Sequence, residues 1–183
     1  IVIGRNEGIR LQNCMKSIVM TIKANNLNGS EIIYIDSGSS DDSIELIKDY
    51  NNIEIYKIIG KSNPAIARNL GAKISKNNIL FFIDGDMEIL PENLRYFYDS
   101  DLDDLQYEFI SGDIINCYYD KNGNYLCENR YYNLESDRYS FVTGGIFIIK
   151  KYLWNRINGM RTKFRKNQDL DFGLRMSKEG YFL

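Results

Sequence analysis

The sequence predicts an α/β fold, a three-layer α/β/α sandwich whose central sheet is mostly parallel with an antiparallel addition. Strand-like runs alternate with helical patterns through the first half of the chain, which is typical of βαβ units. Residues 79–84 (ILFFID) are apolar almost throughout, as a central strand covered on both faces should be. The second half breaks this alternation with a hairpin pattern, so antiparallel strands are expected there.

The first half contains four predicted strands and three predicted helices. The strands are residues 1–4, 31–36, 53–58 and 79–84. Apolar residues at helical spacing predict the first helix over residues 11–22. Asp42 and Glu45 have the spacing of a capping box, so a second helix is expected to begin there. Pro64 suits the first position of a helix and predicts the third, over residues 64–75.

The second half is predicted to add a hairpin, one more buried strand and two helices. The hairpin consists of two strand-like runs on either side of Asn122-Gly123. The buried strand is residues 141–151, followed by a short helix that ends at Asn158-Gly159 and by a final helix that stops near Gly180. Trp154 in the short helix is expected in the core rather than in a ligand-binding site.

Length and composition indicate one folded domain over residues 1–183. The chain is 44% hydrophobic and 26% charged, which argues against disorder. The net charge of -2 argues against a nucleic-acid partner. Basic residues cluster only at residues 161–166 (RTKFRK), where a solvated loop is the ordinary explanation. The chain starts inside a strand without methionine, so we expect a fragment truncated at both ends, with any membrane association residing in sequence outside it.

The cysteine and histidine content limits which catalytic groups and metal ligands the chain can use. Cys14, Cys117 and Cys127 form no CxxC pair, and an odd count without a framework predicts a reducing, cytoplasmic setting. The absence of histidine excludes Ser-His-Asp and Cys-His nucleophile systems and histidine-ligated zinc. Carboxylates, lysine and tyrosine are left for proton transfer. No signal peptide is visible, and no apolar run approaches the roughly 18 to 20 residues that span a bilayer.

Three polar clusters follow predicted strands, at residues 4–8, 36–42 and 84–86. In open α/β sheets ligands bind beyond the carboxyl ends of the strands, so these clusters are expected to converge on one site. Asp84 and Asp86 end a buried strand, and two such charges roughly 4 to 7 Å apart repel by about 2 to 4 kcal/mol at an effective dielectric of ~20. A cation beside them would replace this repulsion by attraction. Carboxylate oxygen ligands indicate Mg²⁺ or Mn²⁺. A loop-capping role for both carboxylates is the alternative.

The ordered set of motifs resembles glycosyltransferase family 2, the inverting enzymes with the GT-A fold. The motifs are IVIGRNEG, IIYIDSGSSDDS, IARNLGA, FFIDGDMEI, a strand with two glycines and QDLDFGLR, and they cover nearly the whole chain. The resemblance implies transfer of a sugar from a nucleoside diphosphate sugar, usually UDP-linked, to an acceptor hydroxyl. It also implies a carbohydrate or lipid-linked acceptor and a divalent metal ion.

The resemblance implies donor-binding roles for five residues. Arg5 and Glu7 end the first strand, where the family holds the base and ribose, although Arg5 replaces a frequent aromatic residue. Asp36 matches the aspartate that binds uracil or ribose, and its alternative is a turn or cap residue. Arg68 matches a position near the donor phosphates, and its alternative is a helix-surface arginine. Asp84 completes the set as a ligand of the ribose or of a metal-bound water.

By the same resemblance, Asp86 contacts the metal together with Asp84, and Asp169 is the catalytic base. Gln168 stands where the family usually has glutamate, so the base role is carried onto Asp169 alone. A first-turn aspartate favoured by the helix dipole is its alternative. Asp171 is better explained as a helix ion pair with Arg175. The further metal ligand of many family members, often histidine, has no match in this chain.

The sequence leaves open the role of two glycines and two alternative functions. Gly144 and Gly145 interrupt an apolar run, where they either admit a ligand against the backbone or form a bulge. A nucleotide-sugar binding module without catalysis is one alternative function, suggested by Gln168. A sugar-1-phosphate nucleotidylyltransferase is another, but it would require a glycine-rich loop for which residues 4–8 are a poor substitute.

Overall fold

A six-stranded sheet forms the centre of the computed structural model, which describes residues 1–50, 52–99, 104–112, 114–120, 122, 124–130 and 143–181. The strands of this sheet are β1 (Val2–Gly4), β2 (Ile32–Asp36), β3 (Ile53–Lys57), β4 (Ile79–Asp84), β7 (Phe109–Ser111) and β10 (Ile146–Lys150). Two small antiparallel pairs lie outside it: β5 (Tyr98–Asp99) with β6 (Asp104–Leu105), and β8 (Ile115–Tyr119) with β9 (Tyr125–Arg130). The helices are α1 (Ile9–Ala24), α2 (Pro64–Ile74), α3 (Lys151–Arg156), α4 (Gln168–Lys178) and a 3₁₀ helix at Pro91–Tyr96.

The strand order of the sheet is β3-β2-β1-β4-β10-β7. The first four strands run parallel, and β10 is antiparallel to both of its neighbours. From β1, the strands β2 and β3 are added on one side of the sheet, and β4 is added on the other side. The strand order therefore reverses between β1 and β4. The carboxyl ends of these two strands therefore border the crevice in which open α/β sheets bind their ligands.

Alternating side chains of the strands face two helical layers. Val2 faces α1 and packs with Leu11 and Met15, whereas the next residue, Ile3, faces α2 and packs with Ala67. Helices α3 and α4 cover the same face as α2. The aromatic residues of that layer stack on one another with ring centroids 4.7 to 6.3 Å apart, and they are Phe82, Phe109, Phe147, Trp154 and Phe172. Trp154 is thus a core residue, as predicted.

Most of the predicted elements are confirmed. Strands β1 to β4, the first and third predicted helices, the hairpin of β8 and β9 and the two late helices all lie where the sequence places them. The helix predicted to begin at Asp42 is wrong, because residues 43–49 form consecutive turns. The amide of Leu46 donates to the carbonyl of Asp42, four residues earlier, as in an α-helix. The amides of Ile47 and Tyr50 instead donate to the carbonyls of Ile44 and Ile47, three residues earlier. A capping-box spacing therefore marks a turn here and not an α-helix.

The strand predicted over residues 141–151 is shorter than expected. Residues 141 and 142 lie outside the described part of the chain, Gly144 and Gly145 form a turn, and β10 begins only at Ile146. Lys151 already belongs to α3. None of the helices in the described ranges is long and apolar enough to cross a membrane. All three cysteines are free, with Cys14 buried and Cys117 and Cys127 exposed.

Candidate active site

A cleft of about 320 Å³ opens at the carboxyl ends of β1 and β4. Four of the predicted site residues line it together: Arg5, Glu7, Asp84 and Asp86. The other lining residues are Ile3, Gly4, Ser37, Ser62, Asn63 and Pro64. The convergence expected from the sequence is therefore present, and it lies at the position where the strand order reverses.

Hydrogen bonds join the loops that follow β1 and β2 along one side of the cleft. The amide of Asn6 donates to Ser39 Oγ at 2.9 Å, and Asn6 Oδ1 accepts from the amide of Ser40 at 2.8 Å. The amide of Gly8 donates to Ser43 Oγ at 2.8 Å. These bonds fix the backbone that presents Arg5 and Glu7, so both side chains project from a braced loop.

Asp36 has the role of a turn residue in this structure. Its side chain is fully buried. Its carboxylate accepts hydrogen bonds from the amides of Gly38 and Ser39 and from Ser39 Oγ, at 3.1, 3.0 and 2.5 Å respectively. It is not among the residues that line the cleft. Asp36 therefore shapes the loop beside the cleft, and its predicted contact with a nucleotide stays a prediction.

Arg68 lies inside the protein and holds Asp84. Arg68 Nη2 donates to Asp84 Oδ1 at 2.6 Å, and the Arg68 side chain is 4% exposed while that of Asp84 is 33% exposed. The guanidinium carbon lies 6.0 Å from the centroid of the Phe147 ring. The helix-surface alternative for Arg68 is wrong, and its predicted contact with a phosphate stays a prediction. The observed partner is the strand-end aspartate.

Gly145 leaves the space that the Asp84 carboxylate occupies. A Cβ atom at Gly145 would lie 2.5 Å from Asp84 Oδ2, 2.8 Å from Asp84 Cγ and 2.5 Å from Met87 Cε. The carbonyl of Gly145 also accepts a hydrogen bond from the amide of Asp84 at 2.9 Å. The space beside Gly145 is thus taken by the protein's own carboxylate, and the predicted approach of a ligand to this backbone stays a prediction.

Burial and neighbouring charges raise the pKa of two carboxyl groups of the cleft. Burial raises the pKa of Asp84 to about 6, and Asp86 adds to the rise while Arg68 opposes it. Burial likewise raises the pKa of Glu7, with a second contribution from Asp86, whereas Arg10, 3.1 Å away, lowers it. Asp84 and Glu7 each have an arginine partner, whereas Asp86 forms no ion pair with a described residue.

The carboxylates suit a hard cation that brings other ligands with it. Asp84 and Asp86 offer the oxygen atoms that Mg²⁺ and Mn²⁺ prefer, and Asp86 is exposed at the cleft. Across the described ranges, no three carboxylate or thiol groups come close enough together to hold a metal ion by themselves. The residues therefore fit an ion whose remaining ligands come from a bound molecule or from water.

Asp169 lies in the first turn of α4, outside the lining of the cleft. The loop before it is tied to the cleft, because Asn63 Nδ2 donates to the carbonyl of Thr162 at 2.8 Å. Asp171 is a structural residue, as predicted: it pairs with Arg175 and with Arg161, both at 3.0 Å. The catalytic role of Asp169 stays a prediction.

Two lining residues were missed by the sequence analysis. Asn63 is the N-cap of α2, with its side chain accepting from the amide of Ile66 at 2.9 Å. Its position before Pro64 is a recognisable cap signal that could have pointed to it. Ser62 donates to Ser37 Oγ at 3.0 Å across the cleft wall, and no pattern in the sequence indicates that contact.

A larger cavity of about 610 Å³ lies at the opposite edge of the sheet, beneath α1. Its described lining is mostly apolar, and Glu31 is the one charged side chain there. Glu31 Oε1 already accepts from Ser75 Oγ and from the amides of Lys76 and Asn77. No group of titratable residues converges on this cavity, so its size does not make it the site.

Comparison with known proteins agrees with this geometry. The model of the family described as Glycosyl transferase family 2 matches residues 1–181. The chain belongs to glycosyl transferase family 2. The predicted family is therefore confirmed, and by family the chain is a glycosyltransferase domain.

Curated relatives and solved structures resemble the chain over different extents. The Staphylococcus aureus poly(ribitol-phosphate) beta-N-acetylglucosaminyltransferase TarP is 33% identical over 99 residues, which cover 51% of the chain and 29% of that protein. A mannosyltransferase of Pyrobaculum calidifontis, solved with GDP-Man and Mn²⁺, matches 99% of the chain and 52% of its own with a TM-score of 0.72 and 16% identity. GalNAc-T7, solved with UDP, GalNAc and Mn²⁺, matches 100% of the chain and 40% of its own with a TM-score of 0.64 and 16% identity.

These likenesses confirm the predicted fold. The structures share too little sequence to show more than the fold, which is the mostly parallel α/β/α sandwich of GT-A enzymes. The segments matched in curated relatives make up 20% to 29% of those proteins. The chain therefore corresponds to a part of such proteins.

We predict that Gly145→Ala disturbs the cleft, because the new methyl group must displace an Asp84 carboxylate that Arg68 holds in place. Overpacking of this kind costs about 1 to 3 kcal/mol. Calorimetry with UDP and Mn²⁺ should show binding weakened at least about tenfold, equivalent to 1.4 kcal/mol. Gly112→Ala is the matched control, since its Cβ would meet only Ile146 Cγ2, at an ordinary 3.5 Å. Equal binding by the two variants would show that the position of Asp84 is unimportant.

We predict that Arg68→Met destabilises the protein, because it leaves Asp84 largely desolvated without its partner. Removal of one partner from a buried pair costs about 3 to 5 kcal/mol, and the partial exposure of Asp84 reduces the expected loss to about 1 to 3 kcal/mol. Urea unfolding of Arg68→Met, Asp84→Asn and the double variant should give a coupling free energy above about 0.5 kcal/mol. Additive effects in this cycle would contradict the pairing.

Proposed function

We propose that the chain is the donor-binding and catalytic part of a metal-dependent inverting glycosyltransferase. It would move a sugar from a nucleoside diphosphate sugar, with UDP as the nucleotide, to an acceptor hydroxyl. The observation that carries the proposal is the meeting of Glu7, Asp84 and Asp86 in one cleft at the reversal of the strand order. Family membership supports the same activity.

Two structural neighbours support a nucleotide sugar and a divalent ion as ligands. One was solved with GDP-Man and Mn²⁺ and the other with UDP, GalNAc and Mn²⁺. The exposed guanidinium of Arg5 lies at the cleft, where a planar group can stack on a base. Glu7 is placed to accept hydrogen bonds from ribose hydroxyls. Asp36 would act on the donor through the loop that it shapes.

Asp86 and Asp84 are the residues that would hold Mn²⁺ or Mg²⁺. The bound ion would stabilise the negative charge that develops on the leaving nucleoside diphosphate. Arg68 keeps Asp84 in place through the bond between Nη2 and Oδ1. Asp86 is exposed and can meet an incoming ligand without burying its own charge further. Asp84 would thus be held in position by the protein, and Asp86 would contact the incoming ion.

An inverting transfer also requires a base on the side of the sugar opposite the leaving group, and we assign this role to Asp169. Its carboxylate would accept the proton of the acceptor hydroxyl as that oxygen attacks the sugar. The chain holds the start of α4 in place through Arg175, which pairs with Asp171 and donates to the carbonyls of Ile157 and Gly159. The acceptor would be a carbohydrate or a lipid-linked sugar, and a cytoplasmic location stays a prediction.

A nucleotide-sugar binding module without catalysis is the second candidate. It is favoured by the position of Asp169 outside the cleft lining and by Gln168, which is buried and donates to the carbonyl of Phe164 at 2.9 Å. Tight UDP binding without turnover of any donor would support it. Membership of family 2 argues against the nucleotidylyltransferase alternative.

We predict that release of the nucleoside diphosphate from a panel of UDP-, GDP- and dTDP-sugars requires Mn²⁺ or Mg²⁺ and falls about 100-fold or more in Asp86→Asn. Such a loss corresponds to roughly 2.7 kcal/mol of transition-state stabilisation. Asp49→Asn makes the same charge change at an exposed aspartate outside the cleft lining and should retain full activity. Release that is unaffected by EDTA would contradict metal dependence.

We predict that Asp169→Asn loses turnover by about 10² to 10⁴-fold and keeps its UDP affinity, because an amide cannot take the acceptor proton. Asp49→Asn is the matched control: it makes the same charge change at an exposed aspartate outside the cleft lining, and turnover should remain. Single-turnover kinetics with the best donor would separate binding from chemistry. Turnover of Asp169→Asn at the wild-type rate would remove Asp169 from the mechanism.

A further inference from the structure

The loop that leads into α4 carries a dense run of positive charge. Residues 161–166 contain four cationic side chains in a chain whose net charge is -2. Arg161 is paired with Asp171. Lys163, Arg165 and Lys166 are exposed and form no ion pair within the part of the chain that the structure describes, and Lys163 contacts only the ring of its neighbour Phe164, 5.1 Å away. Three cations are therefore free for a ligand.

The backbone of this loop is fixed from the side of the cleft. Asn63, which lines the cleft, donates to the carbonyls of Thr162 and Phe164 at 2.8 and 3.4 Å. Asn69 holds Met160 from both sides, donating to its carbonyl at 2.8 Å and accepting from its amide at 2.9 Å. The loop therefore keeps its position through its main chain. The three cationic side chains are not needed for that purpose.

The free cations precede the candidate base in the chain. Lys166 precedes Asp169 by three residues, so their Cα atoms are at most about 11 Å apart. At its other end the loop is bonded to Asn63, a residue of the cleft wall. An anionic molecule bound along residues 163–166 would consequently lie near the start of α4, where the acceptor hydroxyl must lie if Asp169 is the base.

We propose that residues 163–166 bind an acceptor that carries repeated anionic groups, such as a phosphodiester-linked glycan, and guide it to Asp169. The proposal rests on the proposed function, since it names the acceptor class of the same site. A single phosphate is satisfied by one or two cations, whereas a linear polyanion can engage Lys163, Arg165 and Lys166 together.

An anionic membrane surface fits the loop less well. Recognition of such surfaces by charge usually involves four to eight clustered Lys or Arg residues or an amphipathic helix with an apolar face. Here three cations are free, and the aromatic residue among them, Phe164, is half-buried. A soluble polyanionic acceptor is thus the better match, and the membrane becomes one outcome of the test.

The test uses a fluorescein-labelled glycerol-phosphate hexamer, with labelled maltohexaose as the neutral probe. Wild type is expected to bind the hexamer and not maltohexaose, as measured by fluorescence anisotropy at increasing NaCl. The variant Lys163→Gln/Arg165→Gln/Lys166→Gln should bind the hexamer at least about tenfold more weakly. Because each lost contact to a flexible polyanion removes about 0.7 from the slope of log K against log salt, that slope should fall by roughly 2.

The control variant is Lys23→Gln/Lys73→Gln/Lys178→Gln, which removes the same charge from the last turns of α1, α2 and α4. It should bind the hexamer like wild type, and both triple variants should bind UDP with Mn²⁺ like wild type. The proposal is wrong if wild type does not bind the hexamer, or if both triple variants lose hexamer affinity equally. It is also wrong if the loop variant loses affinity for UDP. Binding to phosphatidylglycerol vesicles is measured in parallel, and a loss of binding seen with the vesicles but not with the hexamer would equally overturn it.

The outcome is separable from that of the proposed function. Absence of UDP binding and of donor turnover in wild type would reject the glycosyltransferase while leaving the hexamer measurement intact. Hydrolysis of the donor in the absence of an acceptor gives a second readout, which the loop variant should retain at the wild-type rate. Loss of that hydrolysis would instead place the three cations at the donor and overturn the proposal.

Discussion

The pair of Arg68 and Asp84 is the interaction on which the site depends. It joins α2 to the end of the central strand β4 at the reversal of the strand order. Burial raises the pKa of Asp84, and the guanidinium opposes that rise. Gly145 supplies the space in which the carboxylate lies. A change in the packing of the helical layer on this side of the sheet would therefore move a carboxylate in the cleft.

Asp86 is the carboxylate of the cleft that an incoming cation can reach. Arg68 pairs with Asp84 from within the protein and Arg10 pairs with Glu7, whereas Asp86 is exposed and forms no ion pair with a described residue. Burial raises the pKa of Asp84 and of Glu7, and Asp86 raises both further, so these negative charges repel one another. Binding a divalent ion together with a diphosphate would relieve the repulsion and add ligands that the described protein groups do not supply.

The parts of the structure that the sequence predicted are those encoded by neighbouring residues. Apolar runs define β1 to β4, and the clusters at their ends meet because parallel strands end at one edge. The sequence analysis was wrong or incomplete where the structure depends on contacts between residues far apart in the chain. Ser43 bonds Gly8 across 35 residues, and turns replace the predicted helix. Arginine is seldom fully buried, so its type alone favours the surface, and only the three-dimensional position of Asp84, 16 residues away, explains the burial of Arg68.

The donor and acceptor sides of the proposed site are held by different kinds of contact, so each side can change independently of the other. The donor side consists of strand ends and braced turns, where one substitution displaces several partners. On the other side, Asn63 and Asn69 fix the loop before α4 by its main chain, and Arg175 fixes the loop backbone and the first turn of the helix. Exposed side chains on that loop can change charge without moving Asp169. One donor scaffold can therefore serve acceptors of different charge, with loop composition as the variable.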